Sequence, residues 1–174
     1  MNLPYLHPAD IILSRSGTFF SKAIRFFEKL KSGSANYSHS AMCLSDREVI
    51  ESLWRVTVNP TSKYENEDIV IYRPKFLTMD QKRSVVNRSL KIEGQAYGVL
   101  KIPLFAMDAV FKTYLFTQTF GISHFKVCSN LIAWAYYKEL GHDDIFGTGW
   151  RSVSPDVIDD YCSRWPLLWE KIYG

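Results

Sequence analysis

The sequence is short of the features that mark several large functional classes. Its three cysteines, Cys43, Cys128 and Cys162, are too few for a disulfide framework. An odd count suits a reducing compartment and leaves a thiol free for chemistry. No Cys-x-x-Cys or His-x-x-x-His spacing supplies a pair of metal ligands, so no metal site is expected. There is no Gly-rich phosphate loop and no Gly-x-Ser-x-Gly elbow, which removes the P-loop and serine-hydrolase readings. Dense basic blocks are also missing. The richest stretch, residues 22–31, mixes its lysines with Phe26, Phe27 and Glu28, and reads as a helix face rather than a nucleic-acid arm. The first ten residues lack the basic segment and apolar run of a signal peptide. A cytoplasmic location is therefore expected, with export as an effector or phage protein left open. The least charged stretch, residues 98–123, is interrupted by Lys101, Asp108 and Lys112 and contains Pro103, so no transmembrane helix is expected.

What is present suits one packed domain over residues 1–174. Hydrophobic residues make up 47% and aromatic residues 15%, enough to build a core, and the net charge of +3 is mild. A β-like run over residues 10–14 follows Pro8. Residues 18–30 place apolar side chains at helical spacing. Two strand-like runs, 37–44 and 48–54, flank Ser45-Asp46-Arg47, which reads as a hairpin turn. A further short strand over 56–58 should stop at Asn59-Pro60, and another over 68–73 at Pro74. Residues 78–92 read as a charged surface helix. Residues 129–140 are apolar nearly all round, the mark of a buried helix, and Gly141 is a fitting stop. Ser154-Pro155-Asp156 starts a last helix running to Tyr161, after which Trp165, Leu168 and Trp169 should pack on the core. The order predicts an α+β fold, a small antiparallel sheet against helices.

Cys128 stands at the start of the buried helix. The helix end favours a thiolate there, and its first free N–H groups suit an oxyanion. His39, on a strand, has the range of a base near neutral pH. A hairpin centred near Ser45 would put Glu51 about opposite His39, where a carboxylate can orient the imidazole. His124, four residues before Cys128, is a second-choice base. Asp10 and Ser129 are supporting candidates. Cys43 and Cys162 read as core or surface thiols.

Together these segments resemble the circularly permuted branch of the NlpC-type papain-like cysteine hydrolases, the YiiX-like group, with the lecithin retinol acyltransferase family more distantly similar. The resemblance rests on Ala9-Asp10-Ile11-Ile12 for the family's Gly-Asp-Ile-Ile strand and on Tyr37-Ser38-His39-Ser40-Ala41 for its histidine strand. Glu51 stands at the third catalytic position, and Val127-Cys128-Ser129-Asn130-Leu131 matches the nucleophile run. It spans about residues 8–140. Ala9 replaces a glycine, and Asn130 replaces the usual glutamate. The resemblance implies a papain-like fold and a Cys128–His39–Glu51 triad. It also implies a thioester acyl-enzyme and an amide or peptide substrate, of cell-wall or other type in that family's manner, with no cofactor. Two other readings stay open. The apolar run 99–120 suits a greasy wall for an acyl-lipid substrate, as in a thioesterase, phospholipase or acyltransferase. A papain-like domain that only binds a partner is the third.

Overall fold

Ile11, Ile12 and Leu13 are consecutive apolar residues, and a strand apolar on both faces needs cover on both. The computed structural model describes residues 3–15, 36–53, 55–95 and 128–174. The helix expected over 18–30, His124 and the apolar run 98–123 lie outside the described residues. β1 (Ile11–Ser14) is an inner strand of a sheet with β2 (His39–Cys43), β3 (Glu48–Ser52), β4 (Val56–Pro60), β5 (Ile69–Pro74) and β6 (Trp169–Tyr173). The strand order is β4-β3-β2-β1-β5-β6, and every neighbouring pair is antiparallel.

Alternation along the strands sorts side chains between two cores. Ile11, Leu13, Met42, Ile50, Val70 and Tyr72 face α1 (Met79–Leu90), α2 (Cys128–Leu140) and α3 (Pro155–Arg164). Ile12, Ala41, Cys43, Val49, Ile69 and Ile71 pack with Leu6 and Tyr64 in a second cluster. The fold is α+β, mixed helix and antiparallel sheet, with a larger sheet than expected.

Local signals set most boundaries. Thr78 and Gln81 form a capping box at α1. Ser154 caps α3 with Pro155 at its first position, and the helix runs three residues past Tyr161, to Arg164. Gly141, at φ 74°, ends α2. The strand expected over 56–58 pairs on through Asn59 and ends at Pro60. β4 is an edge strand, and there the missing N–H costs no ladder bond. The C-terminal expectation holds only for Trp169, which is buried, opens β6 and packs on Phe146 and Tyr136. Trp165 and Leu168 are exposed, at the two sides of a turn in which the amides of Leu168 and Trp169 both donate to Trp165 O.

The hairpin turn is Ser45-Asp46-Arg47 as expected, closed by Leu44 N–H to Glu48 O at 2.8 Å. Its pairing is centred on Asp46 rather than Ser45, so Glu51 faces Ala41 and not His39. The shift of two residues keeps Glu51 on the same face as His39, diagonally across the ladder.

Asp10 is fully buried at the other end of β1. Arg73 donates to it through Nε (3.0 Å) and Nη2 (2.7 Å), and the His7 amide through a 2.8 Å bond. Ala9 beside it sits at φ 67°, where a glycine would be free of strain. Its carbonyl accepts from Tyr136 at 2.7 Å, which ties α2 to this turn. Arg73→Ala would leave a buried carboxylate without its cation. The expected loss is about 3 kcal/mol of stability, read by urea unfolding, with the reactivity of Cys128 unchanged in the folded protein.

Candidate active site

The site begins with three anchored backbones. His39 opens β2, held in register with Ser14, and the amides of Asn36 and Tyr37 just before it donate to Asp156 Oδ1 of α3, each at 2.9 Å. Glu51 lies on β3, an interior strand between β2 and β4. Cys128 is the first residue of α2. The turn under that helix start is pinned by Ser129 Oγ, donating to Val153 O at 2.7 Å. Asn130 Nδ2 donates to Trp150 O at 2.9 Å and to Val153 O at 3.2 Å. These acceptors are carbonyls, so an amide suits them and a glutamate, having no proton to give, would not. The same bonds occupy the Ser129 hydroxyl, which braces the helix start rather than facing the thiol.

Glu51 is 0% exposed, and His39 and Cys128 only 8% and 5%. A carboxylate so buried must be hydrogen-bonded on both oxygens. His39 Nε2–H donates to Oε2 at 2.6 Å and Tyr64 Oη–H to the same oxygen at 2.8 Å. Asn59 Nδ2 donates to Oε1 at 2.8 Å, and the Lys63 ammonium pairs with that oxygen as well. With Nε2 engaged by Glu51, the other face of the ring, through Nδ1, is left for Cys128, to which His39 is hydrogen-bonded.

The charges follow from this chain of contacts. Burial works against an imidazolium at His39, but the bonds and charges of Cys128 and Glu51 outweigh it and lift its pKa from 6.5 to about 9. Burial also disfavours a thiolate at Cys128. His39, by hydrogen bond and charge, and Ser40 beside it bring the thiol below its ordinary value nonetheless. Glu51 is held at about 2 against its own burial, by His39 first and then Lys63. Burial pushes the other two thiols, Cys43 and Cys162, the opposite way. Of the three cysteines, only Cys128 has its thiol brought below the ordinary value, and it stands at the first helical turn, whose N–H groups have no partner within the helix.

The fold is similar to that of the metalloprotein yiiX. That solved structure, from Escherichia coli O157:H7, superposes with a TM-score of 0.55 at 18% identity, over 90% of this chain and 80% of that one. The similarity agrees with the YiiX-like resemblance at the level of fold. No family model matches the sequence, and no curated protein matches it. Among the described residues no group of three His, Cys, Asp or Glu is arranged to hold a metal, and none of their helices is long and apolar enough to cross a membrane.

Cys128, His39 and Glu51 are thus brought together as the sequence suggested. Asp10 is not among them. It pairs across from Cys43, at the end of β1 away from the Ser14–His39 pair, and its charge is spent on Arg73. Asn59, Lys63, Tyr64 and Ser40 are part of the site and escaped the sequence reading. Thr57 faces Glu51 across β3 and β4, so period-two spacing puts Asn59 on the same face once the register is known. Lys63 and Tyr64 sit in the 3-10 turn Thr61–Tyr64, which carries no such period.

Replacing Glu51 by Gln removes the charge that holds the imidazolium. The His39 ring, followed by NMR, should titrate below about 9 in Glu51→Gln. The folded pKa of Glu51 lies below its ordinary 4.5, so its contribution to stability is present above 4.5 and is lost as pH falls toward about 2. Acid unfolding followed by circular dichroism should show the wild type losing about 3 kcal/mol over that window, a loss that Glu51→Gln lacks.

Proposed function

We propose that this chain is a papain-like cysteine hydrolase of the permuted NlpC-type arrangement, acting on amide or peptide bonds through a thioester acyl-enzyme. The observation that carries the reading is the His39 ring, which bridges a buried carboxylate on one side and a thiol at a helix N-terminus on the other. The chain order His39, Glu51, Cys128 is the permuted one.

In the proposed mechanism the Cys128 proton rests on His39, giving a thiolate and an imidazolium. The sulfur attacks the carbonyl carbon, and the developing oxyanion is met by the backbone N–H of Cys128. The tetrahedral adduct collapses as the imidazolium gives its proton to the leaving amine. His39, neutral again, takes a proton from water, whose oxygen attacks the thioester. The acid leaves and the thiolate–imidazolium pair returns. Glu51 keeps the ring oriented and stabilises its charged form throughout. No step needs a metal. The neighbour yiiX is described as a metalloprotein, but both oxygens of Glu51 and both sides of the His39 ring are already engaged in this chain.

A partner-binding domain without chemistry has no use for a fully buried carboxylate that holds a titratable ring against a thiol. The acyl-lipid reading uses the same triad, and product analysis separates it from the amidase reading. The test is a panel of peptides, simple amides and acyl lipids, with acid-quenched protein analysed by mass. An acyl adduct on Cys128 that hydroxylamine removes, together with amine release, is expected. Cys128→Ala should lower turnover by at least ~10³-fold. Fatty-acid release alone would move the substrate to lipids. No adduct with any substrate class, and slow alkylation of Cys128, would remove the enzyme reading.

A further inference from the structure

Glu51 has a second cation that the triad does not account for. The turn Thr61–Tyr64 follows β4 directly and bends over the face of the sheet that carries Glu51. It is fixed there by Thr61, whose N–H donates to Arg47 O at 2.9 Å and whose hydroxyl donates to Asp46 O at 3.1 Å. Lys63 and Tyr64 therefore reach the carboxylate from a turn anchored to the β2–β3 hairpin. Lys63 comes from the surface, its side chain about one third exposed at 33%, and its ammonium ends on Oε1 of a carboxylate with no exposure. The ammonium also lies 5.2 Å from the centre of the Tyr64 ring.

We propose that Lys63 is a positioning residue for the Glu51–His39 pair, capping the far oxygen of the carboxylate so that the row of buried thiolate, imidazolium and carboxylate, closed by the ammonium of a partly exposed side chain, is neutral as a whole. The proposal rests on the cysteine-hydrolase reading. Moving the Cys128 proton to His39 creates two charges and changes no total. Without Lys63 the row would carry a net negative charge in a site where burial makes such a charge costly. The ammonium also keeps Oε1 occupied, so that Oε2 stays on the ring.

Among the described residues the groups facing this row come from four elements, and Ser40 of β2 bonds to the thiol. His39 comes from β2, Cys128 from α2, Asn59 and Thr57 from β4, and Lys63 and Tyr64 from the turn, with Glu67 acting on Tyr64 through its charge. Loss of the ammonium among them raises the proton affinity of every remaining member. The thiolate then forms only at higher pH.

The test is the pH dependence of Cys128 alkylation by iodoacetamide in the full chain, for wild type, Lys63→Arg, Lys63→Met and Lys63→Gln. The acid limb is expected to move up by about one unit in Lys63→Met and to stay in place in Lys63→Arg. Lys63→Gln, which keeps a donor and drops the charge, should follow Lys63→Met and supplies the answer if the Met variant does not fold. Limbs that superpose in all four proteins, with only unfolding midpoints changed, would overturn the proposal and leave the Cys–His pair standing. A wild-type limb at the ordinary thiol value would overturn both the proposal and the reading under it.

Discussion

The architecture of the site turns on one buried anion. A carboxylate with no solvent must find its solvation in the protein, and Glu51 finds four donors: His39, Tyr64, Asn59 and Lys63. They come from three different constraints. His39 requires the β2–β3 register, Asn59 requires β4 to run on past Val58, and Lys63 and Tyr64 require the turn after Pro60 to bend toward the sheet. If any of these moves, a charge is stranded in a low-dielectric setting, which costs far more than an ordinary contact. The carboxylate thus ties the geometry of three strands and a turn to the orientation of a single imidazole.

The same sheet buries a second carboxylate, and the contrast between the two is instructive. Asp10 is paired with Arg73, whose guanidinium grips it in a fork and does not release its proton at any working pH. That pair can only hold the chain together at one end of β1. Glu51 is paired with a histidine, a group that can take and give a proton, and the histidine in turn touches a thiol at a helix N-terminus. The chemistry differs because the partner differs, although both acids are equally buried. The helix bearing Cys128 is pinned from beneath by Ser129 and Asn130 through carbonyls of the 150–153 turn, which fixes the helix start that carries the thiol. An amide at position 130 fits those carbonyls where an acid would repel them.

Much of this was legible in the sequence, and the reasons are local. Short strand-like apolar runs marked the strands, Ser45-Asp46-Arg47 marked the turn, and Thr78, Ser154 and Gly141 marked helix ends, because each acts over a few residues. A thiol at the start of an apolar helix, and a histidine and an acid on successive strands, likewise stand out from residue type and spacing. By itself the sequence determined the α+β class, the hairpin and the three side chains now brought together. Tertiary structure alone decided the rest: the register that places Glu51 diagonal to His39, the sixth strand from Trp169, the bond of Asp10 to Arg73, and the reach of Lys63 and Tyr64 to Glu51. Those are contacts between segments distant in sequence or joined by an aperiodic turn. No local propensity encodes them; they follow from the requirement that every buried charge end on a partner.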